Sequence, residues 1–129
     1  MFKLSNTSKE RLDGVDHRII EIVNLALKIT KIDFGIPENG GLRTVKQQKF
    51  LFDKGLSKCD GTKNKSHHQS GRAFDVYAYV DGKASWNRGF LTQVAAAMLQ
   101  AASVLGYKLE WGGHWFSWQD YPHFELKED

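Results

Sequence analysis

The sequence has very little of two residue types that often decide how a small protein is held together. Its 129 residues include one cysteine and two prolines. Cys59 has no partner in the chain for a disulfide, so the fold does not depend on an oxidising compartment. With few prolines, no Ser/Gly-rich linker and no internal repeat, nothing marks a domain boundary. We therefore expect a single domain over residues 1–129.

Long apolar runs are also missing. The N-terminus lacks the apolar segment of a secretory signal, and no later stretch is long enough to span a bilayer. We expect neither a signal peptide nor stable insertion into a membrane. The 18 basic and 15 acidic residues give a net charge of +3. Because these charges are scattered rather than clustered, we expect no binding to nucleic acid.

The spacing of the apolar residues predicts an α+β fold. Steps of three and four residues predict helices over residues 7–29, 44–54 and 85–105. Thr7 and Glu10 are expected to form the capping box of the first helix. Short or alternating apolar patterns predict strands over residues 33–36, 74–80, 107–111 and 123–126. We expect a small antiparallel sheet with the helices packed on one side.

One stretch combines metal-binding side chains with a turn, and it reads Ser66-His67-His68-Gln69-Ser70-Gly71-Arg72-Ala73-Phe74-Asp75. If Gly71 and Arg72 are the central residues of a tight hairpin, with positive φ at Gly71, His68 lies directly opposite Asp75. Cross-strand neighbours of this kind can share one ion. His67 would point to the opposite face, so we assign it to structure or to substrate contact.

The C-terminal segment offers a third ligand, His123. It would join the face that carries Asp75 if the two strands are neighbours in one sheet. Two imidazoles and one carboxylate can hold a catalytic zinc ion and leave a fourth position for water or substrate. Asp120, three residues before His123, is placed to take a proton from that water and pass it to the leaving amine.

Several other side chains are candidates for contact with a substrate. Arg43 lies just before a helix N-terminus and is either a surface arginine or a fixed guanidinium that binds a carboxylate or an oxyanion. Ser66 and His114 are further candidates for substrate contact. The sequence has no His-Glu-x-x-His helix, which is the usual metalloprotease motif. It also has no Gly-x-Ser-x-Gly elbow and no P-loop, which excludes a serine hydrolase and a nucleotide-binding protein.

Taken together, these motifs resemble those of a known family. Ser66-x-His68-x-x-Gly71-x-Ala73-x-Asp75 followed by Asp120-x-x-His123 is similar to the paired signature of the zinc D-Ala-D-Ala carboxypeptidases and VanY-like peptidases. Residues 42–48, 57–61 and 111–125 look most like the phage endolysin branch, the L-alanyl-D-glutamate endopeptidases. The resemblance extends from Phe34 to Leu126.

The resemblance implies a role for each matching residue. His68, Asp75 and His123 match the zinc ligands, Asp120 matches an acidic general base that is often glutamate in relatives, and Arg43 matches an arginine that steadies the carbonyl oxygen or a substrate carboxylate. Some phage relatives carry a long acidic insert before the last histidine that binds calcium. Only a short loop stands there in this chain, so we expect no calcium switch.

The function implied by the resemblance is hydrolysis of the peptidoglycan stem peptide at the L-alanyl-D-glutamate bond during host lysis. We expect a monomer that accumulates in the host cytoplasm until a holin opens the membrane, and that then acts on the cell wall.

Two other functions compete with this one. A D,D-carboxypeptidase or dipeptidase of the same fold would trim D-alanine instead. A non-catalytic, zinc-containing wall-binding domain would need a fourth protein ligand, for which Cys59, His67 and His114 are the candidates.

Overall fold

The computed structural model describes residues 2–128, which form helices and short antiparallel strands. The helices are α1 (Asn6–Arg11), α2 (His17–Ile29), α3 (Val45–Asp53) and α4 (Arg88–Leu105). The strands are β1 (Asp33–Gly35), β2 (Ala73–Asp75), β3 (Tyr77–Val80), β4 (Lys83–Ser85), β5 (Leu109–Trp111) and β6 (His123–Leu126). The predicted α+β class is confirmed. None of the helices in this part of the chain has both the length and the apolar character needed to cross a membrane.

The strands divide between two antiparallel sheets rather than forming one. Their orders are β1-β3-β4 and β2-β6-β5. The strand predicted over residues 74–80 is therefore two strands. Asp75 pairs with His123 in β6, whereas Tyr77 pairs with Gly35 in β1. Between them, the backbone N–H of Val76 donates to the carbonyl of Pro122 at 3.0 Å, and the chain passes from one sheet to the other.

The first predicted helix is in fact two helices. Ser5, not Thr7, caps α1 by accepting a hydrogen bond from the backbone of Ser8, and Asp16 caps α2 by accepting one from Arg18. Helix α1 ends at Arg11, the chain turns through Gly14 with φ 86°, and Asp16 then begins α2 as its N-cap. The prediction missed the interruption because the apolar stripe continues across it into the same core.

The predicted hairpin is also wrong. Residues His67–Ser70 form a 3₁₀ turn. Ser66, the N-cap residue just before the turn, and Gln69, the third residue of the turn, form a capping box. Gly71 ends this turn with φ 73°, so the positive φ expected there is confirmed. His68 is consequently not a cross-strand neighbour of Asp75, because Asp75 pairs directly with His123.

One face of the β2-β6-β5 sheet belongs to the core. Phe74 and Phe124 are fully buried there and stack with their ring centroids 5.1 Å apart. Helix α4 packs against α2, β3 and β5, so it covers this side of the sheet. Side chains alternate along a strand, so the residues of β6 next to Phe124, which are His123 and Glu125, face away from the core.

We expect Phe124→Ala to lower the free energy of unfolding by about 3–5 kcal/mol, because it removes a buried ring and leaves a cavity. Phe116, which is fully exposed, provides a matched control, and Phe116→Ala should change the free energy by less than about 0.5 kcal/mol. Urea denaturation measures both. Equal effects of the two substitutions would contradict this description of the core.

Asp16 should contribute a pH-dependent part of the stability. Hydrogen bonds from Arg18 outweigh the opposing effect of burial and hold the pKa of Asp16 well below its usual range. A lowered pKa in the folded state stabilises the protein above the unfolded pKa of about 3.9, and this stabilisation is lost as the pH falls.

Asp16→Asn keeps the helix cap and removes the charge. Wild type should therefore exceed Asp16→Asn in unfolding free energy by about 0.5–1 kcal/mol at neutral pH, and the difference should shrink toward about pH 2. Urea denaturation across this pH range measures it, with the exposed Asp13→Asn as control. A difference that stays constant with pH would argue against the ion pair.

Candidate metal centre and its cleft

Three potential ligand atoms meet on the side of the β2-β6-β5 sheet that faces away from the core. His68 Nε2 lies 3.4 Å from Asp75 Oδ1 and 3.3 Å from His123 Nδ1, and His123 Nδ1 lies 3.0 Å from Asp75 Oδ1. Among residues 2–128, these form the only group of three or more His, Cys, Asp or Glu side chains that could share one ion. The structure thus brings together all three residues predicted as metal ligands.

The spacing of the three atoms fits zinc. Ligand atoms bound to a tetrahedral zinc ion at about 2.0–2.2 Å lie about 3.4 Å from one another. Two of the three observed separations agree with this value, and the third is slightly shorter because Asp75 and His123 are hydrogen-bonded to each other. The donor set of two imidazoles and a carboxylate is also one that zinc uses in catalytic sites.

His68 is held by the backbone. Its Nδ1 lies 2.9 Å from the carbonyl oxygen of Gly41, so Nδ1 donates and Nε2 is turned toward the site. The ring is almost completely buried. Gly41 packs directly on the backbone of Arg11, where a Cβ atom would collide with the Arg11 carbonyl. The absence of a side chain at Gly41 is therefore what lets its carbonyl approach His68.

His123 is held by side chains. Its Nδ1 faces Asp75, and its Nε2 lies 2.8 Å from Glu125 Oε1. Burial alone would lower the pKa of His123, but the hydrogen bonds to Asp75 and Glu125 outweigh it and raise the pKa to about 9. The hydrogen bond from His123 in turn lowers the pKa of Glu125.

Asp75 is fixed from both sides. Its Oδ1 faces the two imidazoles, while its Oδ2 accepts a hydrogen bond from Arg43 Nη2 at 3.2 Å. Burial would raise the pKa of Asp75, but the charge and hydrogen bonds of His68 and His123 keep it below its usual range. The carboxylate is therefore ionised at neutral pH and can act as a ligand.

Arg43 is itself fixed by three acceptors. Besides Asp75, its Nε donates to the carbonyl of Asn39 at 2.8 Å and its Nη1 donates to Gln48 Oε1 at 3.1 Å. Gln48 is fully buried and its amide also donates to Ser57 and to the carbonyl of Cys59. Arg43 is thus not a free surface arginine, because Asn39 before α3 and Gln48 within it hold its guanidinium against Asp75.

Asp120 lines the same cleft but is not one of the three grouped ligands. Loss of solvent around its carboxylate and the negative charge of Asp75 raise the pKa of Asp120, and they outweigh the opposing charges of His123, His68 and Arg43. The residue as a whole is exposed. A carboxylate that is more basic than usual and open to the cleft is suited to accept a proton.

The cleft has a volume of about 790 Å³, within the range of about 300–1,000 Å³ that is usual for ligand sites. Trp115 forms part of its wall, with its ring 5.3 Å from that of His123. At the rim, Lys58 Nζ lies 3.4 Å from the centre of the Trp118 ring, so the loop that follows α3 meets the segment between β5 and β6 there. Trp111, by contrast, belongs to the core.

The remaining candidates lie in different places. Ser66 lines the cleft and also accepts a hydrogen bond from the backbone of His68. Cys59 and His67 line the cleft without joining the group of three ligands. His114 is not among the lining residues and instead packs edge-on against Trp111, with the ring centroids 4.8 Å apart. Within the described residues, no fourth His, Cys, Asp or Glu side chain therefore belongs to the group that could share one ion.

Sequence reasoning missed two residues of the site, Glu125 and Gln48. The alternation of side chains along a strand places Glu125 on the same side as His123, but it does not reveal the hydrogen bond between Glu125 and the His123 ring. Gln48 lies one turn along α3 from Thr44, and only its complete burial reveals its contact with Arg43. The apolar pattern of α3 gives no signal for Gln48, because Val45, Phe50 and Phe52 are exposed while Gln48 is buried.

Comparison with known proteins identifies similar sequences and folds. A family model described as phage L-alanyl-D-glutamate peptidase matches residues 1–128. The L-alanyl-D-glutamate peptidase of Escherichia phage T5 is 34% identical over 128 residues, which cover 98% of this chain and 90% of that protein. The peptidoglycan L-alanyl-D-glutamate endopeptidase CwlK of Bacillus subtilis is 28% identical, covering 85% of this chain and 72% of its own length.

A solved structure has the same fold. The crystal structure of the Serratia marcescens L-Ala D-Glu endopeptidase ChiX superimposes with a TM-score of 0.84 at 33% sequence identity. The superposition covers 97% of this chain and 90% of the other.

We expect His68→Ala and His123→Ala each to weaken zinc binding by more than about 100-fold. This loss exceeds the usual effect of substituting a residue that only hydrogen-bonds to a metal ligand. Competition with a chromophoric chelator measures the affinity. His17, whose side chain is 80% exposed, provides the control, and His17→Ala should bind zinc as wild type does. Full zinc affinity in His123→Ala would contradict the proposed donor set.

Proposed function

The chain belongs to the phage L-alanyl-D-glutamate peptidase family, and from this premise we propose that it hydrolyses the L-alanyl-D-glutamate bond of the peptidoglycan stem peptide with a zinc ion held by His68, Asp75 and His123. The family resemblance found in the sequence is confirmed, and the chain is a peptidoglycan endopeptidase. The observation that supports the zinc site best is the group of three ligand atoms with separations suited to a tetrahedral ion.

The residues around the three ligands fit this reaction. Zinc bound there would supply a Lewis acid that activates water at neutral pH and polarises the peptide carbonyl. Asp120, with its raised pKa, can accept the proton of the attacking water on its carboxylate. It can then return that proton to the leaving amine, so that one carboxylate serves as base and then as acid.

Arg43 can serve the reaction in two ways. Its Nη2 holds Asp75 Oδ2, which leaves Oδ1 directed at the two imidazoles. Because each terminal nitrogen of a guanidinium carries two hydrogens, Arg43 also keeps N–H groups for the carbonyl oxygen or carboxylate of a substrate. Ser66, the N-cap residue of the 3₁₀ turn, also lines the cleft. Contact of Ser66, and of the more distant His114, with the substrate stays a prediction.

The biological setting is also part of the proposal. A peptidase that acts on peptidoglycan has to reach the wall, and the resemblance to phage endolysins predicts that it accumulates in the host cytoplasm until a holin opens the membrane. A monomeric state also stays a prediction.

Digestion of purified peptidoglycan tests the proposed function. With zinc present, mass spectrometry of the products should show new amino termini on D-glutamate and new carboxyl termini on L-alanine, and a chelator should abolish both. Asp120→Asn should bind zinc normally but cut about 10²–10⁴-fold more slowly, because it has lost its general base.

Asp81→Asn, in an exposed turn away from the cleft, is the matched control and should cut at the wild-type rate. Release of free D-alanine would instead identify a D,D-carboxypeptidase. Binding to the wall without any new termini would identify a non-catalytic wall-binding domain. Undiminished cutting by Asp120→Asn would remove Asp120 from the mechanism.

A further inference from the structure

We propose that Glu125 is a positioning residue for the metal centre, and that His67 supports it from the cleft side. Glu125 holds the His123 ring so that Nδ1, and not Nε2, is presented to the ion. This inference rests on the proposed zinc site, and it assigns a function to His67, the histidine of the His67-His68 pair that is not a metal-ligand candidate.

The two histidines of the site present different nitrogens. His68 presents Nε2, because its Nδ1 donates to the carbonyl of Gly41. His123 presents Nδ1, because its Nε2 lies against Glu125 Oε1 at 2.8 Å. A neutral imidazole has one donor nitrogen and one acceptor nitrogen, so the partner of one nitrogen determines which nitrogen can bind a metal. His68 is fixed by the backbone, whereas His123 depends on a side chain.

The geometry of β6 explains why the partner is Glu125. Residues two apart on a strand lie on the same side, so the side chains of His123 and Glu125 are adjacent. Asp75 lies opposite His123 on the neighbouring strand β2. The His123 ring therefore points one nitrogen across to β2 and the other along its own strand. Only 14% of the Glu125 side chain is exposed, so water competes weakly for its carboxylate.

The second oxygen of Glu125 is also engaged. Glu125 Oε2 lies 3.1 Å from Nδ1 of His67, which is the residue directly before His68 in the 3₁₀ turn. Glu125 thus links the turn that carries one ligand to the strand that carries another. The His67 side chain is 56% exposed, however. Because exposed ion pairs contribute little, His67 should support Glu125 rather than determine the site.

Zinc affinity, measured by chelator competition at constant pH, tests the proposal. We expect Glu125→Ala to weaken zinc binding by about 10–100-fold, the usual effect of losing an outer-sphere partner of a histidine ligand. Glu125→Gln should recover part of this loss, because its amide oxygen can still accept from Nε2–H. His67→Ala should weaken binding by less than about fivefold.

Glu110 provides the matched control. It lies opposite Glu125 in the register of β5 and β6, and it pairs with Lys127 outside the cleft. Glu110→Ala should leave zinc affinity unchanged. Thermal unfolding of the metal-free variants shows whether Glu125→Ala disturbs the fold. If Glu125→Ala does disturb the fold, Glu125→Gln, which conserves the side-chain volume, still tests the proposal.

The second measurement reports which nitrogen of His123 binds zinc. Glu125→Ala would not change this result if Glu125 only stabilised the fold. In the zinc-loaded wild type, ¹⁵N NMR of the histidine rings should show His123 bound through Nδ1 and protonated at Nε2. In Glu125→Ala the Nε2–H signal should exchange faster or the binding nitrogen should become mixed.

A zinc affinity of Glu125→Ala within twofold of wild type, or an equal loss in Glu110→Ala, would overturn the proposal. So would an unchanged Nε2–H signal in Glu125→Ala. If wild type binds no zinc, both this inference and the proposed function fail, whereas normal zinc binding without peptide cleavage affects only the proposed function.

Discussion

The Asp75 carboxylate lies between two imidazoles on one side and a guanidinium on the other, and the geometry of the site depends on this arrangement. A buried carboxylate is costly unless it is paired and hydrogen-bonded. Asp75 meets this requirement through His68, His123 and Arg43, and its backbone N–H donates to the carbonyl of Gly40 at 2.8 Å. Removing any one of these partners would leave a charge only partly compensated in the wall of the cleft.

The fold supplies these partners from separate parts of the chain. Strand β2 carries Asp75 and pairs with β6, which carries His123. The 3₁₀ turn before β2 carries His68, and the segment before α3 carries Arg43. Strand β6 has two roles, because Phe124 packs in the core while its neighbours face the cleft. Packing of the hydrophobic core therefore fixes the positions of the residues that could hold a metal ion.

Much of this site could be predicted from the sequence, although part of the reasoning was wrong. His68, Asp75 and His123 were selected as ligands, and the structure groups all three. The prediction for His123 requires its strand to lie next to the strand of Asp75, and β2 does pair with β6. The hairpin that led to His68 does not exist, because the Ser66 capping box favours a 3₁₀ turn over a strand. His68 therefore joins Asp75 and His123 through a different local geometry from the one that the sequence predicts.

Other features depended on contacts between distant residues, which local patterns do not contain. The division into two sheets arises at Val76, whose backbone donates to Pro122 far along the chain. The contact of Arg43 with Gln48 requires that α3 turn this glutamine inward. The contact between Glu125 and His67 joins the two ends of the site, and neither residue belongs to a metal-binding motif by itself.

The most direct test of the metal centre is a crystal structure of the zinc-loaded protein, with anomalous scattering measured on both sides of the zinc absorption edge. A single strong anomalous peak should lie about 2.0–2.2 Å from His68 Nε2, Asp75 Oδ1 and His123 Nδ1. A peak elsewhere on the chain, or an ion bound through His123 Nε2, would contradict this account of the site.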